Sequence, residues 1–439
     1  MKNLIRLLTR SAVLLKKKLL AQFSFFATGY CTNVNHYYIR GSKNGALAQM
    51  VEQRIENPCV PGSIPGGTTD SKRPANRRSF FYLHSSGMSS FSPVKYFQSP
   101  DELGATLNQL ASEKSSVIIL ADENTSDHCY PLLADSCQAL AKAEIITVPA
   151  GEESKSLEIC HGIWQTLIEM KADRRSLMIN LGGGVITDLG GFIAGTYKRG
   201  ISFVNIPTSL MGMADAAIGG KTGIDLENHK NMIGLFNAPE MVLICPEFLH
   251  TLPDQELKSG FAEMIKHALL HSRERWNELS AVADISNENV SELLDASIRF
   301  KTDVVLQDPF EKGLRKILNF GHTIGHAIES QLLSIGSPIA HGHAIARGMI
   351  AEAWISHQIA GLSDADFDSI NTYINNLYPA PVLMESDTGQ VLSFMINDKK
   401  NSGSDVRFVL LREIGAPIFD QGVEENLVRA ALNRAMTIS

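Results

Sequence analysis

Between about residues 91 and 252, short apolar runs alternate with stretches of helical periodicity; after residue 252 the apolar runs stop. Residues 117–121, 144–148, 177–181, 201–206 and 241–244 read as strands, with helical patterns over 130–142 and 155–170. Strands that are apolar throughout and separated by helices form a parallel sheet covered on both faces. Such sheets bind ligands outside the carboxyl ends of their strands. Beyond residue 252 the pattern predicts long helices over 254–272, 288–303, 321–333 and 343–360. The fold expected is an α/β, Rossmann-like N-terminal domain with a parallel sheet, followed by a mainly α-helical C-terminal domain. The active site is expected in the cleft between them. The boundaries read as 1–88 for an N-terminal extension, 89–252 for a nucleotide-binding domain and 253–439 for a helical metal and substrate domain.

The extension is a different kind of sequence. No Asp or Glu precedes Glu52, whereas Lys and Arg recur from Lys2 to Lys43. An acid-poor, basic start resembles a transit peptide. A second reading is genetic. Residues 48–53 and 62–65 are what the D-arm and T-arm of a transfer RNA gene would encode, in that order. On this reading residues 1–87 are an over-extended reading frame and the natural start is Met88. Either way the stretch is expected to be disordered or poorly packed and to carry no function.

Composition narrows the class. Of 439 residues, 44% are hydrophobic and 20% charged, enough for a large core. A net charge of -7 gives no reason to expect a nucleic-acid partner. The six cysteines form no C-x-x-C pair, which argues against a thiolate zinc knuckle and for buried thiols in a reducing, cytoplasmic setting. No apolar run reaches the length of a membrane span.

Several motifs carry chemistry. Gly182-Gly-Gly-Val-Ile-Thr-Asp188 follows a buried strand and opens an apolar helix. Small residues there admit a pyrophosphate to free N–H groups, although such a run also serves as a simple tight turn. Asp122 and Asn124 follow the first strand, where an acid either meets a ribose or caps a helix. Asp215, Lys221, Lys230 and Asn231 lie in a glycine-rich stretch that suits anionic oxygen or a solvated loop. His322 and His326 are one helical turn apart, with His341, His343 and Glu263 elsewhere in the chain. They suit a mononuclear site with nitrogen and oxygen ligands, or two structural histidines. Arg299, Lys301, Arg315, Lys316 and Lys399-Lys400 suit an acidic substrate or an exposed helix face.

In this order, these segments resemble 3-dehydroquinate synthase from about residue 122 to 415, most closely over 182–199, 207–234, 260–267 and 318–329. The resemblance implies zinc or cobalt on Glu263, His322 and His341. It implies NAD against Asp122 and Asn124, against Gly151, Glu152, Glu153 and Lys155, and against Gly183, Gly184, Val185 and Asp188. Thr208, Ser209, Lys221, Lys230, Phe248 and Thr251 complete that implied set. Substrate would meet Asp215, Lys221, Asn231, Lys266, Lys301, Arg315, Asn319, His326 and Lys399 or Lys400. Glu311 and His326 match proton-transfer residues, and Arg199 would reach across a homodimer interface. The implied reaction converts 3-deoxy-D-arabino-heptulosonate 7-phosphate into 3-dehydroquinate and phosphate, with NAD bound throughout.

The chain departs from the family pattern at two points. His343 stands where Glu is common, so it is expected either to support the metal ligands or to compete with them. Ser209 replaces a Thr. The rival readings are a cyclase acting on a sedoheptulose phosphate, which lacks the carboxylate, and a metal-dependent polyol or glycerol-phosphate dehydrogenase. Lys301, Arg315 and Asn319 favour the carboxylate-bearing substrate.

Overall fold

The structure, a computed structural model, describes residues 36–40, 49–53, 92–227, 229–384, 387–400 and 406–438; the side chains of 36–40, 49–53, 397–400 and 438 are excepted. The transit-peptide segment, the T-arm match and Met88 lie outside the described residues.

The strands are β1 (His36–Arg40), β2 (Gln49–Gln53), β3 (Val94–Tyr96), β4 (Val117–Asp122), β5 (Glu144–Val148), β6 (Leu177–Gly182), β7 (Ser202–Pro207), β8 (Lys221–Leu226), β9 (His229–Phe236) and β10 (Met241–Ile244). The main sheet runs β2-β1-β5-β4-β6-β7-β10-β3. Every neighbouring pair is parallel except β1–β2. All six residues of β6 and the middle four of β4 are buried, as expected of strands covered on both faces. Register places Asp122 opposite Val148, Ala121 opposite Leu181 and Gly182 opposite Pro207, so the carboxyl ends line up. From β4 the chain steps to β5 on one side, then returns to β6 on the other. Loops leaving β4 and β6 therefore diverge, which opens a crevice at this point.

Three expectations are corrected. The extension contributes β1 and β2, which continue the sheet beyond β5, so those ten residues are not without structure. The helix expected over 130–142 is split into Tyr130–Ala134 and a 3-10 turn, Gln138–Lys142. Ser136 bonds to Asp101 and to its own Leu132 carbonyl, while Asn108 takes the Ala139 N–H. Such side-chain bonds compete with helix continuation. Strands also do not cease after Leu252: Val382–Leu383 pairs with Thr437–Ile438, and Phe408–Leu411 with Pro417–Gln421.

The helices that position the site are α1 (Gly184–Thr196), α2 (Asp254–His271), α3 (Asn287–Gln307), α4 (His322–Ser334) and α5 (His341–Ile359). Among the described residues no helix is long and apolar enough to cross a membrane. α2, α4 and α5 cross at glycines. A Cβ on Gly342 would overlap the Ser259 carbonyl, one on Gly348 the Gly321 carbonyl, and one on Gly325 the Ala344 and Ile345 backbone. Gly342→Ala or Gly348→Ala is thus expected to cost about 1–3 kcal/mol through forced separation of the helices. Urea unfolding would measure it, and an unchanged midpoint would contradict this account of the packing.

Candidate active site

Glu263 lies in the middle of α2, 2% exposed, and faces the first residues of α4 and α5. Its Oε1 is 3.7 Å from His322 Nε2 and 3.9 Å from His341 Nε2. The Nδ1 atoms set the tautomers. His322 Nδ1 is 3.2 Å from the Phe320 carbonyl, which only accepts, so Nδ1 carries the proton and the Nε2 lone pair is free. His341 Nδ1 likewise donates to Glu329 Oε2 at 2.8 Å. Ligand atoms of a tetrahedral zinc lie roughly 3.3–3.6 Å apart, given bonds of about 2.0–2.2 Å. Both Glu263–imidazole spacings are within a few tenths of an ångström of that range, and the His322 and His341 ring centroids are 5.9 Å apart. His326 stands beside them, exposed, its ring 5.2 Å from that of His322 and 5.5 Å from that of His341. The three imidazoles also offer nitrogen atoms within 4.8 Å of one another.

The surroundings act oppositely on the two imidazoles: burial would lower His341, but the Glu329 hydrogen bond and charge outweigh it and raise it above the usual imidazole value. Burial, then Lys266 and the two neighbouring imidazoles, hold His322 well below the usual imidazole range, so its ring is neutral. Burial would raise Glu329, but the His341 hydrogen bond and Lys230 outweigh it and bring the carboxyl down to about 2. Glu329 is a residue that sequence reasoning missed as a functional group. It lies one turn beyond His326 on α4, a spacing that could have flagged it. His343 behaves otherwise than expected. Its Nε2 donates to the Pro379 carbonyl at 2.7 Å and its ring lies against Tyr378. Two residues along a helix turn the side chain by about 200°, so His341 and His343 occupy opposite faces of α5. The carboxylate that fixes His341 is Glu329, on another helix.

Beside the cluster lies a box of buried cations. Asp215 sits in a π-helical turn, Gly212–Ala216, a distortion that often marks functional sites. Its Oδ1 is 2.6 Å from Lys301 Nζ, 3.3 Å from His267 Nε2 and 3.8 Å from Lys266 Nζ. Lys266 Nζ is also 2.5 Å from Glu263 Oε2. Burial would raise the Asp215 pKa, but Lys301 and Lys266 hold it well below the usual range. Arg315 donates to the Gly219 and Pro309 carbonyls at 3.0 and 2.8 Å. Lys221 touches Glu311, which also accepts from Asn319 Nδ2 at 2.9 Å. Burial and the cations Arg315 and Lys301 pull Lys221 down to about 7. Buried Lys266, Lys301 and Arg315 thus face Asp215 and Glu263, an excess of positive charge that suits an anionic ligand, with the half-exposed Lys221–Glu311 pair at its edge.

The nucleotide residues implied by the sequence sit at the carboxyl ends of successive strands. Asp122 ends β4, and its side chain caps the following helix through Thr125 N at 2.8 Å; Asn124 is exposed beside it. Gly151 to Lys155 follow β5, Gly183 to Val185 follow β6, Thr208 and Ser209 follow β7, and Phe248 and Thr251 follow β10. α1 starts at Gly184 with no side-chain cap. A Cβ on Gly183 would meet Ser209 Oγ at 3.0 Å, and one on Gly184 would meet Ala216 at 3.1 Å. That leaves a narrow cradle of uncapped N–H groups, the arrangement that binds phosphate. Lys155 reaches Asn231 at 2.6 Å, Asp188 at 3.0 Å and Glu152 at 3.4 Å, and Lys230 reaches Glu329 at 2.8 Å. Asn231 and Lys230 lie on β9, in a β8–β9 hairpin that the sequence reading did not separate from a loop.

Arg199, Asn231 and Glu311 all have left-handed backbones (φ 66°, 55° and 55°). Non-glycine residues held this way cost of order 1–3 kcal/mol each and cluster at functional sites. Arg199 is exposed, in the turn Tyr197–Arg199 that precedes the amino end of β7. The Lys399 and Lys400 side chains lie outside the described residues.

The fold and site define an enzyme of the sugar-phosphate cyclase class. A 2-deoxy-scyllo-inosose synthase complexed with carbaglucose-6-phosphate, NAD+ and Co2+ superposes with a TM-score of 0.69 at 25% identity, covering 78% of this chain and 96% of that one. ValA, a 2-epi-5-epi-valiolone synthase from Streptomyces hygroscopicus with NAD+ and Zn2+ bound, superposes at 0.71 and 25% identity, covering 81% and 99%. Residues 145–259 match the family model for the 3-dehydroquinate synthase N-terminal region, and residues 260–401 match that for the C-terminal region. The 3-dehydroquinate synthase of Parabacteroides distasonis is 41% identical over 335 residues, 76% of this chain and 94% of that relative. That of Halalkalibacterium halodurans is 38% identical over 325 residues, 73% and 88%. The chain belongs to the 3-dehydroquinate synthase family.

Removing Asp215 would leave Lys301 and Lys266 buried without their shared carboxylate. Asp215→Ala is expected to destabilise by about 3–5 kcal/mol at neutral pH. Burial already lowers the Lys301 pKa, and the substitution lowers it further. Between that folded value and the unfolded one of about 10.4 the unfolded chain binds more protons, so stability rises with pH. The deficit should shrink from pH 7 towards pH 10 in urea unfolding. A constant deficit would mean that the lysines are not the cause.

Proposed function

We propose that the chain converts 3-deoxy-D-arabino-heptulosonate 7-phosphate into 3-dehydroquinate and phosphate, with NAD and one divalent ion, zinc or cobalt, retained through the cycle. The observation that carries this reading is the buried cation box directly against the Glu263, His322 and His341 cluster. When bound, the metal supplies Lewis acidity at a substrate hydroxyl and the nicotinamide supplies reversible hydride transfer, so no net NADH leaves.

The protein's own groups divide the remaining work. Glu263 and the Nε2 atoms of His322 and His341 would hold the ion, with Glu329 keeping His341 in the correct tautomer. Lys301, Arg315 and Asn319 would receive the carboxylate. Arg315 uses Nη1 on two carbonyls, which directs the rest of its fork to a ligand. Lys221, Lys266 and Asn231, with Lys399 or Lys400, would complete the anion site. His326, exposed beside the cluster, would move the proton whose departure precedes phosphate loss. Glu311, between Lys221 and Asn319, would serve the later proton steps. NAD would lie along the strand ends, its pyrophosphate on the uncapped start of α1.

A cytoplasmic homodimer belongs to the same proposal. The strained, exposed Arg199 turn and a hairpin showing Leu226, Met232, Leu235 and Phe236 to solvent support contact with a second copy.

Purified chain with zinc and catalytic NAD should release phosphate from the heptulosonate phosphate without accumulating NADH. NADH build-up on a simple polyol with no phosphate release would overturn the reading. Preference for a sedoheptulose phosphate would move it to the related cyclases. His322→Ala and Glu263→Ala should lose bound metal, whereas His326→Ala should keep it and slow turnover by about 100- to 10,000-fold. Metal analysis beside a phosphate-release assay separates these outcomes.

A further inference from the structure

α4 and α5 both begin on a metal-facing imidazole, and neither helix supplies its own cap. The residue before α4 is Gly321 and the residue before α5 is Ala340, neither with a side-chain acceptor. The acceptors come from neighbouring helices of the same cluster. Ser259, one turn before Glu263 on α2, takes the Gly342 N–H on its Oγ at 3.0 Å. Glu352, far along α5, takes the Gly321 N–H on Oε2 at 2.7 Å, and its Oε1 lies 3.4 Å from Ile324 N. Both side chains are buried, Ser259 at 5% exposure and Glu352 at 0%. A carboxylate removed from water at such cost needs donors and positive potential, and a helix start provides both.

We propose that Ser259 and Glu352 are positioning residues of the metal centre: caps lent from one ligand helix to another, which fix where α4 and α5 begin and so hold His322 and His341 against Glu263. The proposal rests on the ligand assignment made above.

The reason is geometric. A ligand at the first residue of a helix moves whenever that first turn frays, and the first four N–H groups have no partner within the helix. Metal bonds tolerate only about 0.2 Å of error. Caps on Gly321 and Gly342 pin the backbone one residue before His322 and one residue after His341. The glycine contacts at Gly342 and Gly348 bring the lending helices close enough to reach. Neither residue touches the ion in this arrangement; each acts through the imidazole that it places.

The test is a cobalt titration of the metal-free full-length chain with chelator competition, reading both affinity and the visible absorption of bound Co2+. Ser259→Ala and Glu352→Gln should each weaken cobalt binding by about 10- to 100-fold and change the absorption band. Ser259→Thr, which keeps the hydroxyl, should restore both. Ser363→Ala removes the cap of the helix Asp364–Leu377, where Ser363 Oγ takes the Asp366 N–H at 3.2 Å. It should lower the melting temperature and leave cobalt affinity unchanged. Wild-type affinity and spectrum in both cap variants would overturn the proposal. Should Glu352→Gln fail to fold, Ser259→Ala and its Thr rescue decide alone. Cobalt bound equally by wild type and Glu263→Ala would instead sink the ligand assignment, and this proposal with it.

Discussion

The site depends on three helices nearly touching. A carboxylate and two imidazoles from separate helices reach ligand distance only where the backbones leave no room for a Cβ. Gly342 against Ser259, Gly348 against Gly321 and Gly325 against Ala344 meet that condition for α2, α4 and α5. These glycines do not bind anything. Their contribution is to set the interhelical separation, from which the 3.7 and 3.9 Å spacings around Glu263 follow.

A second constraint is charge. Lys266 and Lys301 are almost fully buried and would be intolerable alone. Asp215 serves both, and the π turn carrying it brings its carboxylate between α2 and α3. The box is therefore stable without a ligand, yet still holds more positive than negative groups.

Much of this was legible in the sequence because burial writes itself as continuous apolar runs. The strands 144–148 and 241–244 match residue for residue, and the four helices read after residue 253 agree to within a few residues, although Arg273–Ser280, Asp364–Leu377, Thr388–Lys400 and Glu425–Ala435 were not read. What was not legible has local causes. Ser136 and Asn108 break a helix by side-chain bonding that hydrophobic periodicity does not register. The β9 strand is exposed along nearly all its length, so it lacks the alternation that marks a half-buried strand. The role of Glu329 depends on where α5 packs, and the departure of His343 from the site depends on helical phase, which matters only once His341 is known to begin the helix.

The Lys230–Glu329–His341 chain has a wider consequence. Glu329 divides its charge between a lysine on the nucleotide side and an imidazole on the metal side. Any anion that draws Lys230 away leaves more of that charge on His341, making its Nε2 a stronger electron donor. One shared carboxylate thus links the β9 lysine to the imidazole that opens α5.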